Sequence, residues 1–167
     1  KADVDASYKR LLDSLLRPEW ADAVRVGIAS HNLFDVAWAM VRSRHLDAAD
    51  RVEFEMLEGM APAQARAVRE AAGGLLMYSP VVADEDFDAG IAYLSRRLDE
   101  NTQADNFLRA LFTLTVDSVE FARQEAMFRR AVVDRHVVDT ARRRRPDRSP
   151  ADTGRFHNEP DSDFTDA

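Results

Sequence analysis

The run AVRVGIAS at residues 23–30 is β-branched in its middle and small at its end, and Asn32, just beyond it, is a helix-capping residue type. A short apolar stretch bounded by turn residues predicts a buried strand. After it, Leu33, Val36, Ala37, Met40 and Val41 repeat with the helical period, which predicts a helix ending near His45.

The same unit recurs on both sides. Toward the amino end, Val4, Tyr8, Leu11, Leu12, Leu15 and Leu16 form a helical stripe that stops before Pro18. Toward the carboxyl end, VEFEML at 52–57 predicts a second strand with Glu53 and Glu55 on one face, closed by Gly59. Pro62 suits the first position of a helix through AQARAVREAA, which Gly73 and Gly74 end. LLMYSPVV at 75–82 predicts a third strand that Pro80 limits, and Asp84 or Asp86 opens a helix to about Asn101. Alternation of this kind implies an α/β fold, a parallel sheet with crossover helices. No G-x-G-x-x-G turn follows any of the three strands, so a (β/α)8 barrel is preferred over a doubly wound dinucleotide fold. A full barrel takes about 200–250 residues, so three strands make only part of one. Beyond Asn101, NFLRALFTLTVDS gives no strand. A helix is expected from about Val119 to Arg143, with Phe121, Phe128, Val132 and Val133 among its apolar positions, and the remainder has linker composition. The expected divisions are 1–115, a barrel portion, 116–145, a helical extension, and 146–167, a linker.

Composition narrows the chemistry. In 167 residues, 46% hydrophobic and 32% charged, there is one domain's worth of core and no disordered-chain signature. The absence of cysteine excludes disulfides, thiolate metal sites and cysteine nucleophiles, and suits a reducing compartment. A net charge of −7 disfavours a general nucleic-acid or anionic-membrane binder. The Arg142 to Arg145 run complements a helix carboxyl end, so no nucleic-acid partner is expected through it. The chain starts at Lys1 rather than Met, on a charged helical segment unlike a secretory signal, and is expected to be a piece of something longer.

In α/β folds chemistry gathers after the strands, here at Ser30-His31-Asn32, at 55–60 and at Tyr78-Ser79. A lone histidine there reads as a local hydrogen-bonding group or as a catalyst. Glu53 and Glu55 read as an acid–base pair, as metal ligands, or as charges satisfied at a barrel rim; with His31, His45, His136 and His157 scattered, no metal motif supports the second. The richest segment is DFDAGIAYLSRRLDEN, 86–101. At about 100° per residue, Phe87, Ile91, Leu94 and Leu98 make an apolar stripe expected to face the core. Tyr93, Arg96, Arg97 and Glu100 make a second stripe. One phenol, two guanidiniums and one carboxylate at this spacing can hold a small anion, the arginines forking its carboxylate and Glu100 pinning one of them. The same spacing also describes a solvated face with ordinary Arg/Glu pairs.

The runs ASHN (29–32), FEMLEGM (54–60), LLMYSPV (75–81) and YLSRRLDEN (93–101) together resemble the proline dehydrogenase family, in its order and approximate spacing, over about Val4 to Phe112. The resemblance implies the C-terminal part of a distorted (β/α)8 TIM-type barrel, its last three strands and helices, in an enzyme that oxidises L-proline to Δ1-pyrroline-5-carboxylate with FAD. By that analogy Arg96 and Arg97 bind the proline carboxylate, Glu100 orders them, and Tyr93, Tyr78 and Leu57 wall the ring. Ser30 and His31 match positions that touch FAD, and Glu55 stands where a flavin contact is expected. Ser30 replaces a common Thr and keeps the hydroxyl; Ser95 replaces an apolar residue and faces away from the ligand stripe. The tail FHNEPDSDFTDA (156–167) is similar to the stretch leading into the NAD-dependent aldehyde dehydrogenase half of bifunctional proline utilization A enzymes. The implied parent passes electrons to a membrane quinone, from the cytoplasm and in peripheral contact with the inner membrane, and completes its barrel with strands outside this chain. Isolated, the fragment is expected to be inactive. The rival readings are a truncated, non-catalytic α/β module and an unrelated barrel enzyme whose arginine pair binds a small anion such as phosphate.

Overall fold

Three parallel strands organise the chain in the computed structural model, which describes residues 1–103, 106–111 and 113–139. The elements run α1 (Ala2–Leu15), β1 (Val26–Ala29), α2 (Leu33–His45), β2 (Val52–Leu57), α3 (Pro62–Ala72), β3 (Leu76–Tyr78), α4 (Phe87–Asn101), α5 (Phe107–Ala110) and α6 (Val119–Asp134). The sheet order is β1-β2-β3, with Val26 opposite Val52, Ala29 opposite Glu55, and Leu57 opposite Tyr78. Strands β1 and β3 are shorter than expected. Before β1, Ala23 and Val24 donate to the Trp20 carbonyl in a turn, and Pro80 lies two residues beyond the end of β3. Pro62 starts α3 and Gly73 ends it with φ near +78°, a conformation that glycine adopts without strain.

The sheet has two unlike faces. Val26, Ile28, Phe54 and Met56 are buried with Leu12, Leu16, Val36, Ala39, Ala65 and Val68. Each larger side chain here contributes about 1.5–3 kcal/mol relative to exposure. Gly27, Ala29, Glu53, Glu55 and Leu57 alternate to the other face, where each residue is exposed or only half-buried.

Helix α2 is rotated from its expected setting. Asp35, Val36, Ala39 and Ser43 are buried, whereas Ala37 and Val41 are exposed. The cause is Lys9, which is 1% exposed and donates to Asp35 Oδ1 at 2.6 Å, drawing that face of α2 against α1. Arg51 is also buried. Its guanidinium donates to the carbonyls of Leu16 (3.0 Å), Arg17 and Val24 (3.3 Å each), complementing the carboxyl end of α1.

Helix α6 packs along α1, within one compact unit spanning Lys1–Val137. Phe34 and Trp38 are its aromatic contacts, Phe34 with ring centroids 5.6 Å from Phe128 and 5.3 Å from Phe121 and Trp38 6.0 Å from Phe128, and Asp13 joins Arg42 of α2 to Arg135 at 2.8 Å each. The helix stops at Asp134, short of the expected Arg143. Of the second unit, Val138–Ala167, only Val138 and Asp139 are described. The Arg142 to Arg145 run and the 156–167 tail lie outside the described residues.

The expected core stripe of α4 is instead open: Phe87 is 62% and Leu98 60% exposed, with Ile91 and Leu94 also accessible. Among the described residues the helix meets chiefly the turn at Asp84–Asp86 and α5, which leave that face largely open. Among the described residues no helix is long and apolar enough to cross a membrane.

Candidate functional site

The loop after β1 is fixed by its own side chains. Ser30 Oγ accepts from the Asn32 N–H and Asn32 Oδ1 from the Phe34 N–H, both at 3.1 Å, which caps α2. His31 then reaches across to the end of β2, where the Leu57 N–H donates to its Nε2 at 3.1 Å. An accepting Nε2 leaves the proton on Nδ1, and Nδ1 is buried with no partner among the described residues. Burial pushes the imidazole below its ordinary pKa, so the ring is a neutral donor at pH 7. Ser30, His31 and Asp35 line a cavity of about 650 Å³, with Glu100, Asn101, Asn106 and Phe107 opposite. An orphaned N–H, a hydroxyl and a buried aromatic ring at one cavity fit a cofactor that carries hydrogen-bond acceptors and flat rings.

Helix α4 supplies the second part. Arg97 Nη2 donates to Glu100 Oε1 at 2.6 Å, and its guanidinium carbon lies 5.3 Å from the Tyr93 ring centroid. Both partners are substantially exposed, so the ion pair orients Arg97 more than it stabilises the fold. The neighbouring Tyr78 hydroxyl, more than burial, holds the Tyr93 phenol above the ordinary tyrosine range. Arg97 Nε is buried with no partner among the described residues. Arg97 and Leu57 line a second cavity of about 850 Å³, together with Met60, Leu94, Leu98 and Leu111. A cation with an uncommitted N–H in an apolar pocket can take up a small carboxylate whose remainder is hydrocarbon.

The structure thus brings Leu57 to Arg97, joins Arg97, Glu100, Tyr93 and Tyr78, and sets Glu100 on the cavity of Ser30 and His31. Two residues stand apart. Arg96 is exposed on α4 and lines neither cavity. Glu55 lies over Gly27 on the neighbouring strand, where a Cβ would come 2.1 Å from Glu55 Oε1, and borders a different cavity with Glu53 and Leu76. Among the described residues no group of His, Cys, Asp or Glu could hold a metal ion. Sequence reasoning passed over Asp35, Asn101, Asn106 and Phe107. The only signal was their type, two asparagines beside helix ends and a carboxylate in a first helical turn, which capping alone explains.

The family model for proline dehydrogenase matches residues 1–110. No curated protein matches the sequence. Among solved structures, proline utilization A (PutA) from Corynebacterium freiburgense is similar at 45% identity and a TM-score of 0.69. That match covers 84% of this chain and 13% of the other, so the chain spans a small part of that relative's length.

Proposed function

From membership of the proline dehydrogenase family, to which this chain belongs, we propose that it forms the carboxyl-terminal part of a (β/α)8 barrel that oxidises L-proline to Δ1-pyrroline-5-carboxylate with FAD. The observation that carries this reading is the meeting of Leu57 and Arg97 in one apolar cavity, beside the cavity that Ser30 and His31 line.

FAD, when bound, supplies the hydride acceptor. The residues of this chain bind and orient. Arg97 takes the proline carboxylate through its free N–H groups, Arg96 joins it when the remaining strands close the pocket, and Glu100 keeps Arg97 from swinging to solvent. The Tyr93 ring beneath the guanidinium and the Tyr78 hydroxyl beside Tyr93 stiffen that wall, while Leu57 meets the ring carbons and excludes water. His31 and Ser30 donate to flavin acceptor atoms, and Phe107 offers a flat apolar surface. In this reading the open sheet face of Glu55, Leu57 and Tyr78 is the barrel interior, and strands preceding Lys1 cover the bare stripe of α4. The intact enzyme passes electrons to a membrane quinone at the inner membrane face. A following NAD-dependent aldehyde dehydrogenase domain consumes the product after water opens it to glutamate semialdehyde.

Two measurements test the reading. The coding frame upstream of Lys1 is expected to run on through five further strands; a start site at this point overturns the fragment interpretation. In the assembled enzyme, Arg97→Met is expected to raise the KM for proline on the order of a hundredfold while leaving the visible flavin spectrum unchanged. An unchanged KM removes Arg97 from the clamp.

A further inference from the structure

Asn101, the last residue of α4, belongs to both cavities: it faces His31 and Phe107 in one, Leu57 and Arg97 in the other. Its carboxamide is engaged in two directions. Nδ2 donates to Met60 Sδ at 3.5 Å, just beyond β2, and Oδ1 accepts from Asn106 Nδ2 at 3.3 Å. Asn106 Nδ2 also donates to the Glu100 carbonyl at 3.1 Å, and Asn106 Oδ1 accepts from the Leu108 N–H at 2.9 Å, starting α5. From α5, Phe107 turns to the polar cavity and Leu108 borders both. One hydrogen-bonded path therefore runs from the β2 exit through Asn101 and Asn106 to α5, and it passes Glu100, the partner of Arg97. Only a carboxamide donates and accepts at once at this reach; a carboxylate keeps the acceptor alone and leucine neither.

We infer that Asn101 is the positioning residue that ties the cofactor compartment to the substrate compartment by fixing the wall they share. The inference rests on the proline dehydrogenase reading and deepens it, because neither Asn101 bond is made to a group that the reaction touches. In the assembled holoenzyme, Asn101→Leu breaks both bonds. It is expected to raise the flavin dissociation constant, measured by titrating apoenzyme with FAD, and the KM for proline, each about tenfold, the loss expected of a hydrogen bond or two. Asn101→Asp is nearly isosteric, keeps the bond from Asn106 and loses the one to Met60, so it is expected to raise KM with the flavin constant little changed. That variant keeps the test open if Asn101→Leu does not fold. Lowered thermal stability with both constants unchanged marks a helix-end residue only and overturns the inference while the functional reading stands. An unsubstituted enzyme that binds no flavin and oxidises no proline overturns both.

Discussion

Helices α6 and α4 are nearly equal in length, 16 and 15 residues, and each carries an apolar stripe, yet among the described residues only the α6 stripe is packed, and Val133 stays open even there. α6 lies beyond the 110 residues matched by the family model, and it is seated: Phe128 and Phe121 meet Phe34, Ala131 is buried, and Arg135 reaches Asp13. α4 lies inside the match and shows Phe87 and Leu98 to solvent. An apolar stripe encodes that a face is to be covered, but not by what. The cover for α6 is α1 and α2 of this chain; on the proposed function, the cover for α4 is the rest of the barrel.

The largest expected effect lies in the seated region. Lys9 is buried against Asp35 beneath Phe128, its Nζ 5.1 Å from that ring's centroid. Lys9→Met leaves Asp35 buried and unpaired, beside a Tyr8 hydroxyl that burial and the Asp35 charge already push above the ordinary tyrosine range. The expected loss of unfolding free energy is about 3–5 kcal/mol, and Lys9→Met with Asp35→Leu is expected to recover most of it. Urea denaturation measures both. A loss under about 1 kcal/mol for the single variant would mean that the pair is not holding α2 in its rotated setting.

A paired truncation addresses the comparison directly. Phe128→Ala in α6 is expected to lower stability by about 2 kcal/mol, less than a fully buried phenylalanine because its ring is only half-buried. Ile91→Ala in α4, at 48% exposure, is expected to fall within about 0.5 kcal/mol in this chain and to rise toward the Phe128 value once the remaining strands are supplied. Equal losses for the two in the chain as it stands would sink the distinction between a seated and a bare helix.

Much of the fold was legible because its signals are local. Asn32, Pro62 and Gly73 sit at element ends, where side-chain capping, a missing N–H and a left-handed φ act within one turn. The rotation of α2 was not legible, because it depends on Lys9 and Asp35, 26 positions apart, and a lysine does not read as a core residue. The site divides in the same way. The stripe of Tyr93, Arg97 and Glu100 follows from the helical repeat, and those three do associate. The joining of His31 to Leu57 and of Asn101 to Met60 crosses between elements, and no spacing rule contains it.

His31 stands where the two regions meet, since it follows the seated strand β1 and its ring accepts from the end of β2 on the open side. In the unfolded chain a histidine titrates near 6.5. In the fold, burial disfavours the imidazolium and sets the pKa lower, and protonating Nε2 would also remove the acceptor used by the Leu57 N–H. Between the folded value and about 6.5, the unfolded chain therefore binds more protons, so stability falls as pH is lowered through that window. Above about pH 7.5 both states are neutral and this contribution is flat. Urea midpoints at about pH 7.5, 6.5 and 5.5 are expected to decline more steeply for the unsubstituted chain than for His31→Gln, whose carboxamide can accept from Leu57 without titrating. Parallel declines would show that His31 is not the neutral link between the two regions, and that the seam is held by other groups.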